Sequence, residues 1–346
     1  MNLLNVTVLH KLWKQGTIVK VDNENLWVKF NNKPINRNTD TIMFSYPSAF
    51  VTGFLKIVDN DELQQEIMAD AIKKEELKKK QMSQQVVVVP KNNPVKKQPK
   101  KHYERENIAF KCNYCDGGAS ASQIGYAGVC SKAVIKYNIT EAKRTWCSSE
   151  QCECNRFLNG ELTYNDLCEI HASNKFLCYE SGMFINWKAS AGTDVKNGKM
   201  DRPRKLKKVQ KNSLCILTTV KPDALETERM IFGVFLVDES YEGDNQAEGY
   251  VTTKSKYKLK LTPKEAKEIL FWNYHKNSND QGTARWSSGL YRYINDVVSA
   301  QILRDIATIK KNSHDEELAK EFFEYYCKVN NVDIDSLPQN NGALLI

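Results

Sequence analysis

The sequence predicts an α+β, multidomain protein, and three observations carry that expectation. Short runs of strand-forming residues crowd the first 58 positions; six of the ten cysteines fall between residues 112 and 154; and from residue 213 strand-type runs give way to helix-type ones. With 346 residues, the chain has room for two or three domains that each bury a core. The expected organisation is a small β-barrel over 1–58, an exposed helix and basic linker over 59–104, a cysteine-rich zinc-binding module over 105–200, an α+β domain over 201–310, and a C-terminal helix and tail over 311–346.

The first segment divides into four strand-type runs, 6–13, 16–23, 26–32 and 40–50, separated by Gly- or Asn-rich turns. His10, Trp13, Gly16 to Val19, Leu26 to Phe30 and Tyr46 to Phe50 resemble the small SH3-like or Tudor-like barrels of bacterial helicases and transcription factors. That resemblance implies an interaction module for nucleic acid or a protein partner, without catalysis.

Residues 60–82 combine early acids with late lysines, which complements a helix dipole, but Leu63, Ile67, Ala71 and Leu77 make only a thin apolar stripe. An exposed spacer helix is expected. The three prolines and five lysines that follow predict an extended basic linker, whose valine run is alternatively an edge strand.

In the third region, residues 213–220 and 230–243 are strand candidates, and 250–261 alternate as a half-exposed strand does. Thr262, Pro263 and Glu265 form a helix start with a capping box. Helices are expected over 262–275, 289–310 and 314–329, followed by a disordered polar tail. Between Ser213 and Leu261 the order of these runs is similar to PUA-like barrels of the EVE and YTH group. That similarity implies a domain that reads a nucleobase, often a modified one, in an aromatic pocket.

The cysteines read Cys112-x2-Cys115, Cys130, Cys147-x4-Cys152-x-Cys154. A zinc ion takes four soft ligands in a tetrahedron, and a CxxC knuckle supplies two of them from one turn. Cys112, Cys115, Cys147 and Cys154 are the first choice for ligands, with Cys130 and Cys152 as further candidates. Structural zinc is the expected cofactor; an iron–sulfur cluster uses the same ligand type, and unliganded buried thiols are the third reading. Cys168, Cys178, Cys215 and Cys327 lie in apolar or helical contexts and are expected in the core.

The net charge of +8 is unevenly placed, with lysines concentrated at 91–101 and seven basic residues against one acid at 199–211. Two such runs flanking an aromatic-bearing segment point to a polyanion, with DNA favoured over RNA. Arg202, Arg204, Lys205, Lys207 and Lys208 are the expected phosphate contacts. Trp187, Trp272 and Trp286, with Arg285 and Tyr291 nearby, are the expected stacking pocket. The sequence has no apolar run near the roughly 20 residues that span a bilayer and no leader-like start, so a cytoplasmic protein without a membrane partner is expected. Its expected setting is bacterial or phage defence.

Enzyme readings are weaker. Residues 165–175 resemble the end of an HNH nuclease motif but lack its second cysteine and an upstream Asp-His. A PD-(D/E)xK site would draw on Asp238, Glu265 and Lys267, yet the last two sit at a helix start. A Cys168–His171 dyad has no residue to orient its imidazole. A metal-dependent nuclease is therefore the alternative function, and a protein-interaction adaptor with solvated basic runs is the third.

Overall fold

The computed structural model describes residues 3–10, 14–22, 25–31, 40–51, 55–58, 60–70, 103–119, 123–150, 152–174, 176–196, 199–287 and 289–346. It is a mixed α+β protein with several sheets. The chain forms two compact units, Met1–Pro99 and Lys100–Ile346.

In the first unit β1 (Thr7–His10), β2 (Lys14–Val21), β3 (Asn25–Phe30) and β4 (Thr41–Ser45) form an antiparallel meander. After α1 (Ser48–Val51), β5 (Leu55–Ile57) returns to pair with β1, giving the order β4-β3-β2-β1-β5. Period-two alternation builds this core: Leu26, Val28 and Phe30 of β3 are buried with Val8, Ile18, Leu55 and Ile57. His10 is buried between Phe30 and Phe44, at ring separations of 5.7 and 5.5 Å.

Helix α2 (residues 61–70) departs from the expected exposed spacer. Ile67 is fully buried in the core of this unit, with Leu63 packed against it, and Tyr46 donates to Asp70 at 3.1 Å. One side chain per turn is enough to dock a helix when a hydrophobic surface is available. Ala71, Leu77, the valine run and the lysines of 91–101 lie outside the described residues.

The strands of the second unit are β6 (Asn107–Lys111), β7 (Lys188–Ser190), β8 (Thr193–Lys196), β9 (Lys199–Pro203), β10 (Leu214–Thr219), β11 (Met230–Leu236), β12 (Glu239–Tyr241), β13 (Tyr250–Thr252), β14 (Lys258–Lys260) and β15 (Tyr291–Ile294). Its helices are α3 (Lys132–Lys136), α4 (Glu153–Leu158), α5 (Tyr164–Asn174), α6 (Tyr179–Asn186), α7 (Pro263–Glu268), α8 (Asp296–Ile309) and α9 (Glu316–Val329). The main sheet has the order β14-β11-β10-β6-β15, with β6 parallel to β10 and antiparallel to β15. Every residue of β10 and β11 is buried, which places both faces of the sheet under cover.

The expected divisions after residues 200 and 310 do not separate folding units. β6 belongs to the cysteine-rich segment yet sits between two strands from downstream, and Tyr326 of α9 reaches Asn107 of β6 at 2.9 Å. A shared sheet makes one unit of the whole region.

Three expected boundaries shift. The capping box at Thr262 and Glu265 forms, at 3.2 and 2.6 Å, but α7 ends at Glu268 because the next backbone is taken by β11. Ile231 donates to Ile269 at 2.9 Å, and Phe271 donates to Arg229 at 2.7 Å. The helix expected over 289–310 begins as strand β15, since residues 291–294 pair with β6; Asn295 then caps α8 by accepting from Val298 at 2.9 Å. The tail is packed, not disordered. Leu344 donates to Trp272, Ala343 to His275, and Gln301 bonds the carbonyls of Pro338 and Gln339.

Candidate metal centre and nucleic-acid face

The segment from Cys112 to Gly118 leaves the end of β6 and turns back on itself against the loop 125–130. A side chain at Gly117 would place its Cβ 2.0 Å from the carbonyl oxygen of Gly128, and at Gly125, where φ is +105°, 2.2 Å from that of Cys115. Only glycine lets the two loops touch. Ala127 donates to Gly117 at 3.1 Å, and the Cys115 thiol lies 3.7 Å from the Gly128 carbonyl. Asp116 then accepts from Ser131 at 2.8 Å, and Ser131 caps α3. The knuckle is thus fixed by its neighbours.

Around it the chain gathers seven cysteines, Cys112, Cys115, Cys130, Cys147, Cys152, Cys154 and Cys178, on the wall of a cavity of about 390 Å³. Cys115 and Cys130 lie on the two touching loops, and Cys152 and Cys154 lie at the start of α4. Cys130 also feels the charge of Cys178 and Cys154, and Cys154 that of Cys178 and Cys147. Glu180 enters from α6, accepts from the Asn113 amide at 3.1 Å, and has its carboxyl raised by burial. Trp146, Phe176 and Tyr179 reach the solvent side of the cavity with 37%, 46% and 52% exposure.

The electrostatics are uneven. The hydrogen bond from Cys154, with the Asn155 and Cys154 amides at the start of α4, brings Cys152 down to about 7 against the cost of burial. Burial, with Glu180 and Cys152 nearby, pushes Cys147 up to about 12, although Arg144 works in the opposite direction. The Cys130 thiol is raised by Cys115 and burial, and Cys178 by burial and Glu180. Burial thus helps to raise Cys130, Cys147 and Cys178, while Cys152 is lowered.

Cys112, a first-choice ligand by sequence, has its thiol 4.0 Å from the sulfur of Met183. Burial raises it, and the charges that bear on it come from Glu180 and Arg229. Cys178, expected in the core, instead lines the cavity. Its distance along the chain from the other cysteines hid it, and its position immediately before α6 was the available signal. Among the described residues no three His, Cys, Asp or Glu side chains are gathered tightly enough to hold a single metal ion.

The three tryptophans do not form an open stacking pocket. Trp272 and Trp286 are buried, 6.4 Å apart, and their faces are occupied by Phe271, Arg229 and Arg292. Their ring nitrogens donate to Glu226 at 3.2 Å and to Gly289 at 3.1 Å, so both polar edges are satisfied inside the fold. Trp187 ends α6 in a left-handed conformation and packs on Phe184 and Phe235 beneath Lys258 and Lys260. Arg285 is exposed nearby.

The basic residues, by contrast, line up with aromatic ones. Tyr291 donates to the Lys205 carbonyl at 2.9 Å, and the Lys207 amide donates to the Tyr293 hydroxyl at 3.2 Å, which ties this stretch to edge strand β15. Lys207 lies 5.5 Å over the ring of Tyr103, and Lys208 lies 5.3 Å over that of Tyr293. Arg204 pairs with Asp194 at 2.6 Å and Lys208 with Glu106. Among the described residues neither Arg202 nor Lys207 forms an ion pair, and both are exposed. Tyr103 and Tyr293 were not selected from the sequence; alternate tyrosines in a short run were the signal for a strand face.

The carboxylates of the nuclease readings are engaged elsewhere. Asp238 accepts from the amides of Lys254 and Ser255 at 2.7 and 3.0 Å, and Glu265 caps α7 and binds the buried Lys310 at 3.0 Å. Cys168 is exposed on α5, while His171 contacts the Ser181 carbonyl at 3.0 Å. No helix among the described residues is long and apolar enough to cross a membrane. No protein-family model matches this chain, and no curated protein or solved structure matches it.

Proposed function

We propose that this chain is a nucleic-acid-binding protein, with DNA its favoured partner, in which a thiolate metal centre braces the loops beside the binding unit. The observation that carries the reading is the alignment of Lys205, Lys207 and Lys208 with Tyr103, Tyr291 and Tyr293 along the β15 edge. Cations there meet phosphates, and the tyrosines supply ring faces for bases of a single-stranded or opened segment. The tyrosines replace the tryptophans as the aromatic component of this reading. The five strands of the first unit, in a meander closed by β5, fit the SH3-like or Tudor-like resemblance and would add a second contact to nucleic acid or a protein partner.

Gel-shift titration of the whole chain with single- and double-stranded DNA and RNA tests this. The expected result is binding that weakens steeply with salt, with Lys207→Glu weakening it across all sequences and lowering the slope of log K against log salt by about 0.9 on duplex DNA. Absence of any shift at low salt would favour the protein-adaptor reading, and cleavage dependent on divalent metal would favour a nuclease.

A further inference from the structure

A single zinc ion brings four sulfurs to about 2.3 Å from one point and leaves no space between them. Here the thiols do the reverse. They stand around a cavity of about 390 Å³, and no three of them converge among the described residues. Seven line its wall, and they arrive from separate places: the knuckle and its opposing loop, the turn at Cys147, the start of α4, and the start of α6. Scaffolding of this kind suits an inorganic core several atoms across.

We propose that this cavity holds a cubane iron–sulfur cluster, ligated by Cys147, Cys178, one thiol of the Cys115–Cys130 pair and one of the Cys152–Cys154 pair. Thiolates are the ligands such clusters take. Drawing one ligand from each of these four places spreads the sulfurs over the wall. Cys112 stands outside the ligand set, with its thiol against Met183. Cations are present for the charge of a thiolate-ligated core: Lys111 lines the cavity, and Arg144 acts on both Cys147 and Glu180. Trp146, Phe176 and Tyr179 would shield the core from solvent.

This inference rests on the metal-centre part of the function proposed above and not on its nucleic-acid part. The test is anaerobic reconstitution of the full chain with ferrous iron and sulfide, in parallel with zinc, followed by iron, zinc and acid-labile sulfide analysis and X-ray absorption at the metal edge. The expected result is about four iron and four sulfide per chain, as a cubane cluster requires, with both iron–sulfur and iron–iron scattering. Cys178→Ala should lower bound iron at least tenfold while Cys112→Ala retains it. X-ray absorption on the unaltered chain needs no variant, so a poorly folding Cys178→Ala does not blunt the test. Stoichiometric zinc without labile sulfide, a sulfur shell without iron–iron scattering, disulfides across the two pairs, or a folded Cys178→Ala protein with full iron content would each overturn the cluster. A gel shift with the same preparations separates the two ideas. DNA bound by a zinc-only form would sink the cluster alone, and a loaded cluster with no shift would sink the nucleic-acid reading alone.

Discussion

Arg105 and Asp296, 191 positions apart, are joined through one guanidinium nitrogen that donates to both carboxylate oxygens at 2.5 and 2.6 Å. The same carboxylate accepts from Asn107 at 2.9 Å and lies 2.8 Å from the Tyr326 hydroxyl, so the approach to β6, the start of α8 and the middle of α9 meet on one acid. Burial alone would raise the Asp296 carboxyl, but these donors outweigh it and hold it below the usual carboxylate value of 3.8. Asp296→Ala would strand a guanidinium, an amide and a phenol together. The expected cost is about 2–4 kcal/mol by urea unfolding, with Asp296→Asn recovering part of it. Because the folded value is depressed, the stabilisation is present above pH 3.8 and is lost as the pH falls through the folded value.

A second acid response begins at higher pH. His275 is packed against Phe271 and Trp272, and burial, helped by Arg292, lowers it from 6.5 to about 4. The unfolded imidazole binds its proton first, so stability falls as the pH drops from 6.5 towards 4, by up to about 3 kcal/mol. His10 in the first unit is lowered to about 4 by burial and adds its own share over the same window. His275→Phe should flatten the pH dependence of unfolding in the second unit and leave that of the first unchanged. Equal slopes in both proteins would refute the assignment.

Gly117→Ala is expected to be among the costliest small changes in the chain. Its Cβ would meet the backbone of Gly128 at 2.0 Å, where no side chain can swing aside. A loss of at least about 3 kcal/mol in thermal or denaturant unfolding is expected, with faster reaction of the Cys115 and Cys130 thiols with a thiol reagent. A stability change under 1 kcal/mol would show that the two loops are not held together as described.

The two kinds of aromatic residue should behave oppositely. Trp286→Ala empties a buried site that Phe271, Trp272 and two guanidinium groups enclose, at an expected 3–5 kcal/mol, with little change in nucleic-acid affinity once the folded fraction is allowed for. Tyr293→Ala removes a partly exposed ring beneath Lys208. It should cost less stability than Trp286→Ala and weaken binding to single-stranded nucleic acid roughly 5- to 100-fold, measured by fluorescence anisotropy.

Much of the secondary structure was legible because burial repeats at short range. Alternating Leu26, Val28 and Phe30 mark β3, and the unbroken apolar run from Met230 to Leu236 marks a central strand. What sequence could not give was long-range pairing. Residues 291–294 read as helix until β6 is known to lie beside them, and 269–271 read as helix until β11 takes their backbone. The candidate site divided in the same way. Clustering of the cysteines along the chain pointed to one locality, but which thiols share it depends on where β6 ends and α6 begins: Cys112 turns to Met183, and Cys178 comes in from another helix. The tryptophans misled because amphipathic rings suit a core hub as well as a binding face, and only packing distinguishes the two.

Asn107 and Tyr326 are 219 positions apart, and β6 cannot be enclosed until the chain between them exists. At a ribosomal pace of roughly 5–20 residues per second, that wait is on the order of ten seconds or more. During it the thiols at 112 and 115 have left the ribosome without the sheet that later covers them. Synthesis order therefore makes the cysteine loops the first part of this unit to appear and among the last to be closed, and a ligand of the proposed centre would either reach them during that interval or enter afterwards past Trp146, Phe176 and Tyr179.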